Sequence, residues 1–488
     1  MAVDLTVRNA VVVDGTGAPA FPADVAVDAG RIVAVGNAPG GRVEVDARGK
    51  VLAPGFVDTH THDDGALLAH PHLRFKLAQG CTTLVVGNCG FSPYPASGAA
   101  GGLWGREAAE IEDLAAFREA VHAARPACNA VALVGHNALR TAAVGEERRP
   151  PTGAEQARMR GWVEAAMAQG ACGMSTGLIY RPGRWADTEE VVDLAGPVGA
   201  AGGVYATHMR NEGDRLLVAV EEALRIGRES GCGVHISHHK AAGRPNWGRV
   251  AASLALVDEA NAAGADVTLD VYPYTAGSGR MIEYFDLERP DADLAAVIRL
   301  ASCPAFPAYE GRMLVDVAGE TGEELPALVR RILTAPRGDR TICIHFIIAE
   351  ADIETNLRHP RMMIGSDGIP DLAGRPHPRL YGTMPRVLGE YVRERAVLPL
   401  EEAVRRMTSL SCERFGLAER GTVAEGAWAD LVVFDATTVR DTATYDDPQQ
   451  EPEGIDLVVV NGQVAYDHGR HTGVGAGRLL RYRDASLP

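Results

Sequence analysis

Residues 55–62 read GFVDTHTH, a short apolar run that ends in two histidines separated by one residue. A continuous apolar run of this length, closed by polar or glycine-rich residues, is typical of a strand buried in a parallel sheet. Residues i and i+2 of a strand point to the same face, so His60 and His62 would lie side by side at the strand tip. The stretch therefore predicts a buried strand that presents a pair of imidazoles.

The same pattern recurs along the middle of the chain, with helix-like stretches between one run and the next. Seven further runs follow the first: TTLVVGNCG (82–90), AVALVGHN (130–137), GACGMSTGL (170–178), GVYATHMR (203–210), GVHISHHK (233–240), VTLDVYPY (267–274) and MMIGSDG (362–368). Buried strands that alternate with helices imply a parallel sheet covered by helices, and eight such units imply a barrel. We therefore predict an α/β fold built on a (β/α)8 TIM barrel.

Both ends of the chain follow a different pattern, in which apolar and polar residues alternate between turns. Such stretches indicate short β-strands, and we expect a small β-sandwich domain built from both chain termini. The predicted β domain comprises residues 1–54 and 415–488, and the predicted barrel comprises residues 55–414. About ninety residues separate the last two strand runs, far more than a normal connection, so we expect an insertion at about 275–361.

Composition argues against several classes of function. The 488 residues carry a formal net charge of −16 without a basic cluster, which disfavours nucleic-acid binding. No apolar run reaches the ~18 residues of a membrane span, and the first residues lack the pattern of a signal peptide. The eight cysteines are scattered, with no CxxC pair, and are expected to be free thiols. We expect a cytoplasmic protein that binds a small molecule, not a membrane.

Active sites of such barrels lie at the carboxyl ends of the strands. At these ends the runs carry side chains that bind metals: His60 and His62 on the first, Cys89 on the second, His208 on the fifth, His238 on the sixth and Asp367 on the eighth. A single histidine at a strand end is usually a packed core residue. Because these side chains converge from five strands, we predict a metal site.

Cys89 admits three interpretations at this stage. A thiolate is a strong zinc ligand, a thiol beside a base can act as a nucleophile, and a buried cysteine can simply pack. The nucleophile requires a histidine as its base, whereas the histidines here are of more use as ligands. We favour the ligand and leave the other two interpretations open.

Several motifs resemble those of one known family: GFVDTHTHDD, TTLVVGNCGFS, STGLIYRPG, YATHMRNEG, ISHHK, DVYPYTAGS, MIGSDGIPD and HPRLYGTMPRVLG. The sequence resembles the amidohydrolase superfamily and, within it, the D-aminoacylase (N-acyl-D-amino-acid deacylase) group. The resemblance covers nearly the whole chain. GNCG, SHHK and HPRLYGT together are specific to the group, whereas the paired histidines and the aspartate of strand eight indicate only the superfamily.

The resemblance implies an activity and a metal arrangement. The activity would be zinc-dependent hydrolysis of the amide bond of N-acyl-D-amino acids, giving a carboxylate and a free D-amino acid. One tightly bound Zn²⁺ would be held by Cys89, His208 and His238. A second, weaker position would be formed by His60 and His62, with Cys89 shared.

The resemblance also implies roles in catalysis and substrate binding. Asp367, which would take part in the second metal position, would be the catalytic acid and base. The α-carboxylate of the substrate would be bound by Lys240, Tyr272 and Arg379, with Ser278 nearby. The implied partner is therefore a small molecule with a free carboxylate.

Three alternatives share the barrel. A cyclic-amide hydrolase of the hydantoinase or dihydroorotase type usually needs a carboxylated lysine on strand four, but the chain has only Lys50, Lys76 and Lys240. An aminohydrolase typically has a glutamate after strand five, and Glu212 stands there, so this alternative remains. A non-enzymatic barrel would have lost ligands, whereas every ligand position here is filled.

One stretch departs from the family pattern. After YPYTAGS the chain continues GRMIEYFDLERP, where the family commonly has a threonine and apolar residues. Arg280 or Arg289 could aim a guanidinium at an acidic side chain, although a solvated loop arginine is the simpler interpretation. The preferred side chain, the acyl group and the oligomeric state are therefore not predicted.

Overall fold

The computed structural model describes residues 2–96 and 111–484. The strands within this part are β1 (Val3–Val12), β2 (Phe21–Asp28), β3 (Arg31–Gly36), β4 (Gly41–Asp46), β5 (Val51–Pro54), β6 (Phe56–Asp58), β7 (Cys81–Val86), β8 (Asn129–Gly135), β9 (Gly173–Gly177), β10 (Val204–His208), β11 (Gly233–Ile236), β12 (Val267–Val271), β13 (Gly277–Arg280), β14 (Ile298–Ser302), β15 (Ile342–His345), β16 (Met362–Ile364), β17 (Leu431–Phe434), β18 (Ile455–Val460), β19 (Gln463–Asp467) and β20 (Arg470–His471).

The helices are α1 (Ala66–Ala69), α2 (Arg74–Leu77), α3 (Leu114–Ala124), α4 (His136–Ala143), α5 (Gly153–Ala168), α6 (Thr188–Ala200), α7 (Leu216–Ser230), α8 (Val250–Ala262), α9 (Ala292–Ala296), α10 (Leu314–Thr321), α11 (Leu325–Thr334), α12 (Glu350–Arg358), α13 (Arg379–Arg386), α14 (Leu400–Met407) and α15 (Ser409–Arg414). A π-helix, Val387–Glu394, continues α13. No helix of the described ranges has both the length and the apolarity needed to cross a membrane.

Eight parallel strands form the barrel in the order β6-β7-β8-β9-β10-β11-β12-β16. Every residue of β7 and of β8 is buried, as expected for strands that are covered by helices on one face and packed in the barrel on the other. Between β16 and β6, the backbone N–H of Asp367 donates to His60 O at 2.7 Å and that of His62 to Gly368 O at 3.2 Å. Each of the eight predicted runs overlaps one barrel strand, so the predicted fold class is confirmed.

Strands from both termini form one mixed sheet in the order β20-β19-β18-β17-β5-β1-β2-β3, with β4 also paired to β1. The predicted β-sandwich thus takes the form of a single sheet, in which β17 pairs antiparallel to β5. Alternating hairpins would give only antiparallel pairs, but β1 runs parallel to β4 and β5. The sheet buries its own cluster of apolar side chains, which includes Leu5, Val27, Leu431 and Val459. The domain boundaries at 54 and 415 stay predictions.

The segment between β12 and β16 has its own small sheet, β13-β15-β14, with antiparallel pairing. A separate apolar cluster holds it together, with members on β14, α10 and α11 such as Leu300, Val317 and Ile332. The first strand of this sheet, β13, begins shortly after the carboxyl end of β12 and contains Ser278. The insertion therefore contributes one wall above the barrel mouth, while its bounds of 275–361 stay a prediction.

Candidate metal centre

The carboxyl ends of the barrel strands bring six potential metal ligands together. They are His60 and His62 after β6, Cys89 after β7, His208 at the end of β10, His238 after β11 and Asp367 after β16. All six side chains are buried. Their donor atoms form two groups. The first ligand group is Cys89, His208 and His238, and the second ligand group is His60, His62, Cys89 and Asp367.

The donor atoms of the first ligand group are spaced as ligands of a single ion would be. The Cys89 Sγ atom lies 3.7 Å from His208 Nδ1 and 3.4 Å from His238 Nε2. A sulfur and a nitrogen at their usual distances from one tetrahedral zinc ion would be about 3.5 Å apart. The donor types and their spacing therefore fit zinc.

The second ligand group shares the sulfur of the first. The Cys89 Sγ atom lies 3.3 Å from His60 Nε2. Asp367 Oδ1 lies 3.1 Å from His62 Nε2 and 3.5 Å from His60 Nε2. Imidazole, thiolate and carboxylate are all donors that zinc accepts, so this group fits a second ion next to the first.

Electrostatics set Cys89 apart from the other seven cysteines, all of which lie in the described part of the chain. Burial raises the pKa of each of the others, for example Cys232 to about 11 and Cys412 to about 12. Burial also disfavours the Cys89 thiolate, but the adjacent His60 and His238 lower the pKa of Cys89 well below its usual value. The thiolate is the form that binds metals and also the form that acts as a nucleophile, so this environment argues against simple packing, while the spacing to His208 and His238 favours the ligand.

Three residues of the centre have a left-handed backbone, with φ of 55° at Cys89, 35° at His238 and 50° at Asp367. Non-glycine residues rarely adopt this region, and each instance costs of order 1–3 kcal/mol. Hydrogen bonds hold the conformation: His238 N donates to Asp270 Oδ1 at 2.8 Å, and Asp367 N donates to His60 O at 2.7 Å. The sharp turn just beyond each strand lets the side chain point into the barrel mouth.

Asp270, inside β12, supports the histidines and was missed by the sequence analysis. Its Oδ2 atom lies 2.7 Å from His235 Nε2 and 3.4 Å from His60 Nδ1. Burial disfavours the carboxylate, but His60 and His235 lower the pKa of Asp270 below its usual value. The signal was present in the sequence, because VTLDVYPY places an acidic residue inside an otherwise apolar strand.

Glu212 lies beside the first ligand group, although the sequence suggested it only as a feature of aminohydrolases. Its Oε1 atom lies 2.7 Å from Lys240 Nζ and 2.9 Å from His238 Nδ1, and its Oε2 atom lies 3.5 Å from His208 Nε2. Burial disfavours the ionised form, but Lys240 and the two histidines lower the pKa of Glu212 well below its usual value. One carboxylate thus lies close to the outer nitrogens of both histidines, although His208 Nε2 forms no hydrogen bond with the described residues.

The four residues predicted to bind the substrate lie together beside Asp367. The Arg379 guanidinium donates from Nη2 to Asp367 Oδ2 at 2.9 Å and to Ser278 O at 3.2 Å. The Tyr272 ring contacts both cations, with Arg379 Cζ 4.5 Å and Lys240 Nζ 5.6 Å from its centroid. Arg379 is fully buried, and its Nε and Nη1 atoms have no hydrogen-bond partner among the described residues. The site thus holds two buried N–H donors without a partner in the described ranges.

A cavity of about 900 Å³ leads from the solvent to this centre. On its inner side it reaches His208, Glu212, Lys240, Tyr272, Ser278 and Asp367. Arg379 does not line it but contacts Tyr272 and Ser278, which do. Arg280 lines a smaller adjoining cavity, and its Nη2 atom donates to Asp339 O at 3.2 Å. Arg289 is exposed and lines neither cavity.

Comparison with known proteins gives one family and full-length relatives. The model of the amidohydrolase family matches residues 43–246 and 238–466. An N-acyl-D-aspartate deacylase of Alcaligenes xylosoxydans xylosoxydans is 42% identical over 498 residues, which covers 99% of this chain and 96% of that protein.

Two solved structures superpose closely on the chain. One is an N-acyl-D-glutamate deacylase from Bordetella bronchiseptica, solved with zinc and a phosphonate inhibitor that mimics the tetrahedral intermediate. It has a TM-score of 0.91 and 41% identity, over 99% of this chain and 100% of that one. The other is a D-aminoacylase with a binuclear metal centre, described by one-metal activation and second-metal attenuation. It has a TM-score of 0.91 and 43% identity, over 98% of this chain and 100% of that one.

Proposed function

The chain belongs to the amidohydrolase family, and from that premise we propose that it is a zinc-dependent N-acyl-D-amino-acid deacylase. It hydrolyses the amide bond of an N-acyl-D-amino acid to a carboxylate and a free D-amino acid. The observation that carries the proposal is the position of Cys89, where a thiolate shared by two ligand groups lies beside Asp367. Full-length relatives named for this activity support it.

The first ligand group would hold the catalytic zinc through Cys89, His208 and His238, and the second group would hold a further ion more weakly. When bound, the zinc supplies Lewis acidity, which polarises a carbonyl and favours deprotonation of water near neutral pH. Cys89 and the histidines orient their donor atoms for it, and their burial excludes bulk water from the reacting amide.

Asp367 moves the proton in the proposed reaction. Burial disfavours its ionised form, but Arg379 and His238 hold the pKa of Asp367 well below its usual value. It therefore enters the reaction as a carboxylate that can accept a proton from the attacking water on an Oδ atom. The same group then donates that proton to the leaving amine, so one residue acts as base and then as acid.

Arg379 is the proposed anchor for the substrate α-carboxylate, because its Nε and Nη1 donors are buried and unused. Tyr272 and Ser278 contact Arg379 and also line the cavity, so their hydroxyl groups would complete the anion site. Lys240 adds positive charge nearby, although its ammonium group is already bound to Glu212. A carboxylate held on this side fixes which face of the Cα atom meets the rest of the cavity, and so the preference for D-amino acids.

The positions of the lysines favour linear amides over the cyclic amides of the hydantoinase type. Strand β9, the fourth of the barrel, contains no lysine. Lys76 is buried between Asp58 and Asp63, with its Nζ atom 2.7 Å and 3.3 Å from their carboxylates. Lys50 pairs with Asp456 in the terminal sheet. Both lysines are thus engaged by carboxylates, and Cys89, which the two ligand groups share, would take the bridging position of a carboxylated lysine.

A substrate panel tests the proposal. Zinc-loaded protein is assayed with N-acetyl derivatives of several D-amino acids, their L enantiomers, a hydantoin, dihydroorotate and adenine. We expect turnover of the D derivatives only. Faster hydrolysis of the hydantoin or deamination of adenine would replace the proposal with the corresponding alternative.

A further inference from the structure

The related enzymes are named for different D-amino acids, so membership of the family does not identify the preferred side chain. The residues that line the cavity of this chain are therefore the evidence for its substrate preference. Among the apolar side chains that line the cavity are five that we call the apolar wall: Trp247, Leu294, Val297, Phe346 and Ile347. Trp247 leaves 41% of its surface exposed, and its Nε1 atom donates to Ile347 O at 2.9 Å, which anchors the indole. An exposed and anchored indole offers a ready surface for another apolar group.

The base of the apolar wall is also uncharged. The His345 ring packs against Tyr284 with 4.6 Å between centroids. Burial and the positive charge of Arg379 lower the pKa of His345 to about 3, so this imidazole is neutral near pH 7. His345 therefore adds no positive charge to the wall, and Arg280, which the insertion also presents next to the metal centre, lies in the smaller adjoining cavity and donates to Asp339 O.

The cations around the cavity are engaged or lie at its rim. Lys240 is bound to Glu212, while Arg184 and Arg244 are exposed at the mouth. Three carboxylates other than Glu212 and Asp367 line the same cavity, namely those of Glu283, Asp291 and Asp293. Asp291 and Asp293 are exposed like the two arginines, whereas Glu283 is partly buried. A second carboxylate on the substrate would therefore be repelled mainly by Glu283, at a Coulombic cost that the partial burial of Glu283 increases.

We infer that the apolar wall binds a bulky, uncharged group of the substrate, and that the enzyme discriminates against D-glutamate and D-aspartate derivatives. The inference rests on the proposed deacylase function. The bulky group is either the side chain of the amino acid or the acyl chain, since both project from the amide that the metal centre hydrolyses.

Four substrates distinguish whether the apolar wall binds the side chain of the amino acid or the acyl chain. N-acetyl-D-alanine is the reference, N-acetyl-D-phenylalanine enlarges the side chain, N-hexanoyl-D-alanine enlarges the acyl group, and N-acetyl-D-glutamate adds charge. The kcat/KM of at least one bulky substrate should exceed that of N-acetyl-D-alanine by about 10-fold or more, which is the discrimination that a hydrophobic pocket typically gives. The kcat/KM of N-acetyl-D-glutamate should be lower than that of N-acetyl-D-alanine. If the glutamate derivative is the best substrate, the inference is wrong. If none of the four is hydrolysed, the proposed function itself fails.

Variants of the apolar wall test the contact directly. Trp247→Ala removes an exposed side chain, so the fold should survive, and Val297→Asp adds charge to the wall. Both should lower the ratio of kcat/KM between the preferred bulky substrate and N-acetyl-D-alanine by about 5-fold or more. Val315→Asp changes an exposed valine outside the cavity and should leave this ratio at the parent value. Parent ratios in both wall variants would overturn the inference.

An independent observation concerns Glu212. Its Oε1 atom lies 2.9 Å from His238 Nδ1, which is also 2.8 Å from Lys240 Nζ, and its Oε2 atom is a carboxylate oxygen 3.5 Å from His208 Nε2, which is otherwise unpartnered among the described residues. Each histidine turns its other nitrogen toward Cys89. The geometry points to Glu212 as a positioning residue that fixes the orientation of His208 and His238 together. Such carboxylate–histidine pairs orient the ring for the metal and strengthen its binding.

Zinc affinity tests this role without reliance on turnover. Glu212→Gln should weaken zinc binding about 10- to 100-fold in competition with a chelator, and should change the visible spectrum of the Co²⁺-substituted protein. Glu283→Gln is the matched control, because Glu283 lines the same cavity without contact to either histidine. Unchanged zinc affinity and spectrum in Glu212→Gln, with turnover lost, would instead make Glu212 a group that transfers protons, as in the aminohydrolases.

Discussion

At the scale of the single residue, Cys89 links the two ligand groups, and its removal tests both. Cys89→Ala should lose the tightly bound zinc, because two histidines without the thiolate are too few for a firm site. Metal analysis after dialysis measures this. Cys172→Ala is the control, since Cys172 is equally buried but donates to the backbone at Ala132 O and belongs to neither ligand group. Stoichiometric zinc and normal turnover in Cys89→Ala would refute the assignment.

Asp367→Asn tests proton transfer. The amide keeps the shape of the side chain but cannot accept and return a proton, so kcat should fall by about 10²–10⁴-fold. Zinc content should change little, because the first ligand group does not include Asp367. Asp371→Asn, on the same loop, should keep parent activity. Activity of Asp367→Asn within a few fold of the parent would remove Asp367 from the mechanism.

Arg379→Lys tests the carboxylate anchor. A lysine keeps the charge but lacks the planar fork, so KM for an N-acetyl-D-amino acid should rise strongly. The change also weakens the ion pair with Asp367, which affects every substrate alike. The informative quantity is therefore the loss of kcat/KM when the α-carboxylate is replaced by its amide, measured on both proteins. This loss should be much smaller in the variant, and equal losses would mean that Arg379 does not bind the carboxylate.

At the scale of the element, helix α5 begins with a reciprocal cap. Thr152 Oγ1 accepts from Glu155 N at 3.3 Å, and the Glu155 side chain accepts from Thr152 N at 2.6 Å. Thr152→Ala should lower the free energy of unfolding by about 1 kcal/mol, because it leaves a helix N–H without its partner. Urea denaturation measures this, with Thr152→Ser expected to retain most of the stability. Equal midpoints for Thr152→Ala and the parent would contradict the prediction.

At the scale of the whole molecule, a buried neutral histidine ties stability to pH. The folded pKa of His345 is about 3, whereas an unfolded histidine titrates near 6.5. Between these values the unfolded chain binds more protons, so the free energy of unfolding rises with pH. The contribution of His345 is complete above pH ~6.5 and is lost toward pH ~3, by at most about 1.4 kcal/mol per pH unit.

His345→Gln should therefore lose less stability between pH 7 and pH 5 than the parent does. Urea denaturation of zinc-free protein at both pH values gives the difference, and His468→Gln, at an exposed position, serves as the control. If His345→Gln and the parent lose the same stability over this interval, the histidine is not held neutral in the folded state.

The sequence by itself determined the barrel and its ligand-bearing tips. A strand buried in a parallel sheet requires a continuous apolar run, so each of the eight strands could be found separately in the sequence. The residues that follow each run are then those at the carboxyl end of the strand, where the ligands lie. The motifs that end these runs also pointed to the family that the comparisons show. These signals are local in the chain, which is why a single sequence was sufficient.

Only the tertiary structure decided what surrounds those tips. Lys240 binds Glu212, 28 residues away, and Arg379 contacts Ser278, 101 residues away in the insertion. The parallel pairing of β1 and the apolar wall above the metal centre likewise depend on how distant segments pack. The sequence does not show which residues a charged or apolar side chain will contact, because Coulombic and hydrophobic interactions depend on distance in space and not on distance along the chain.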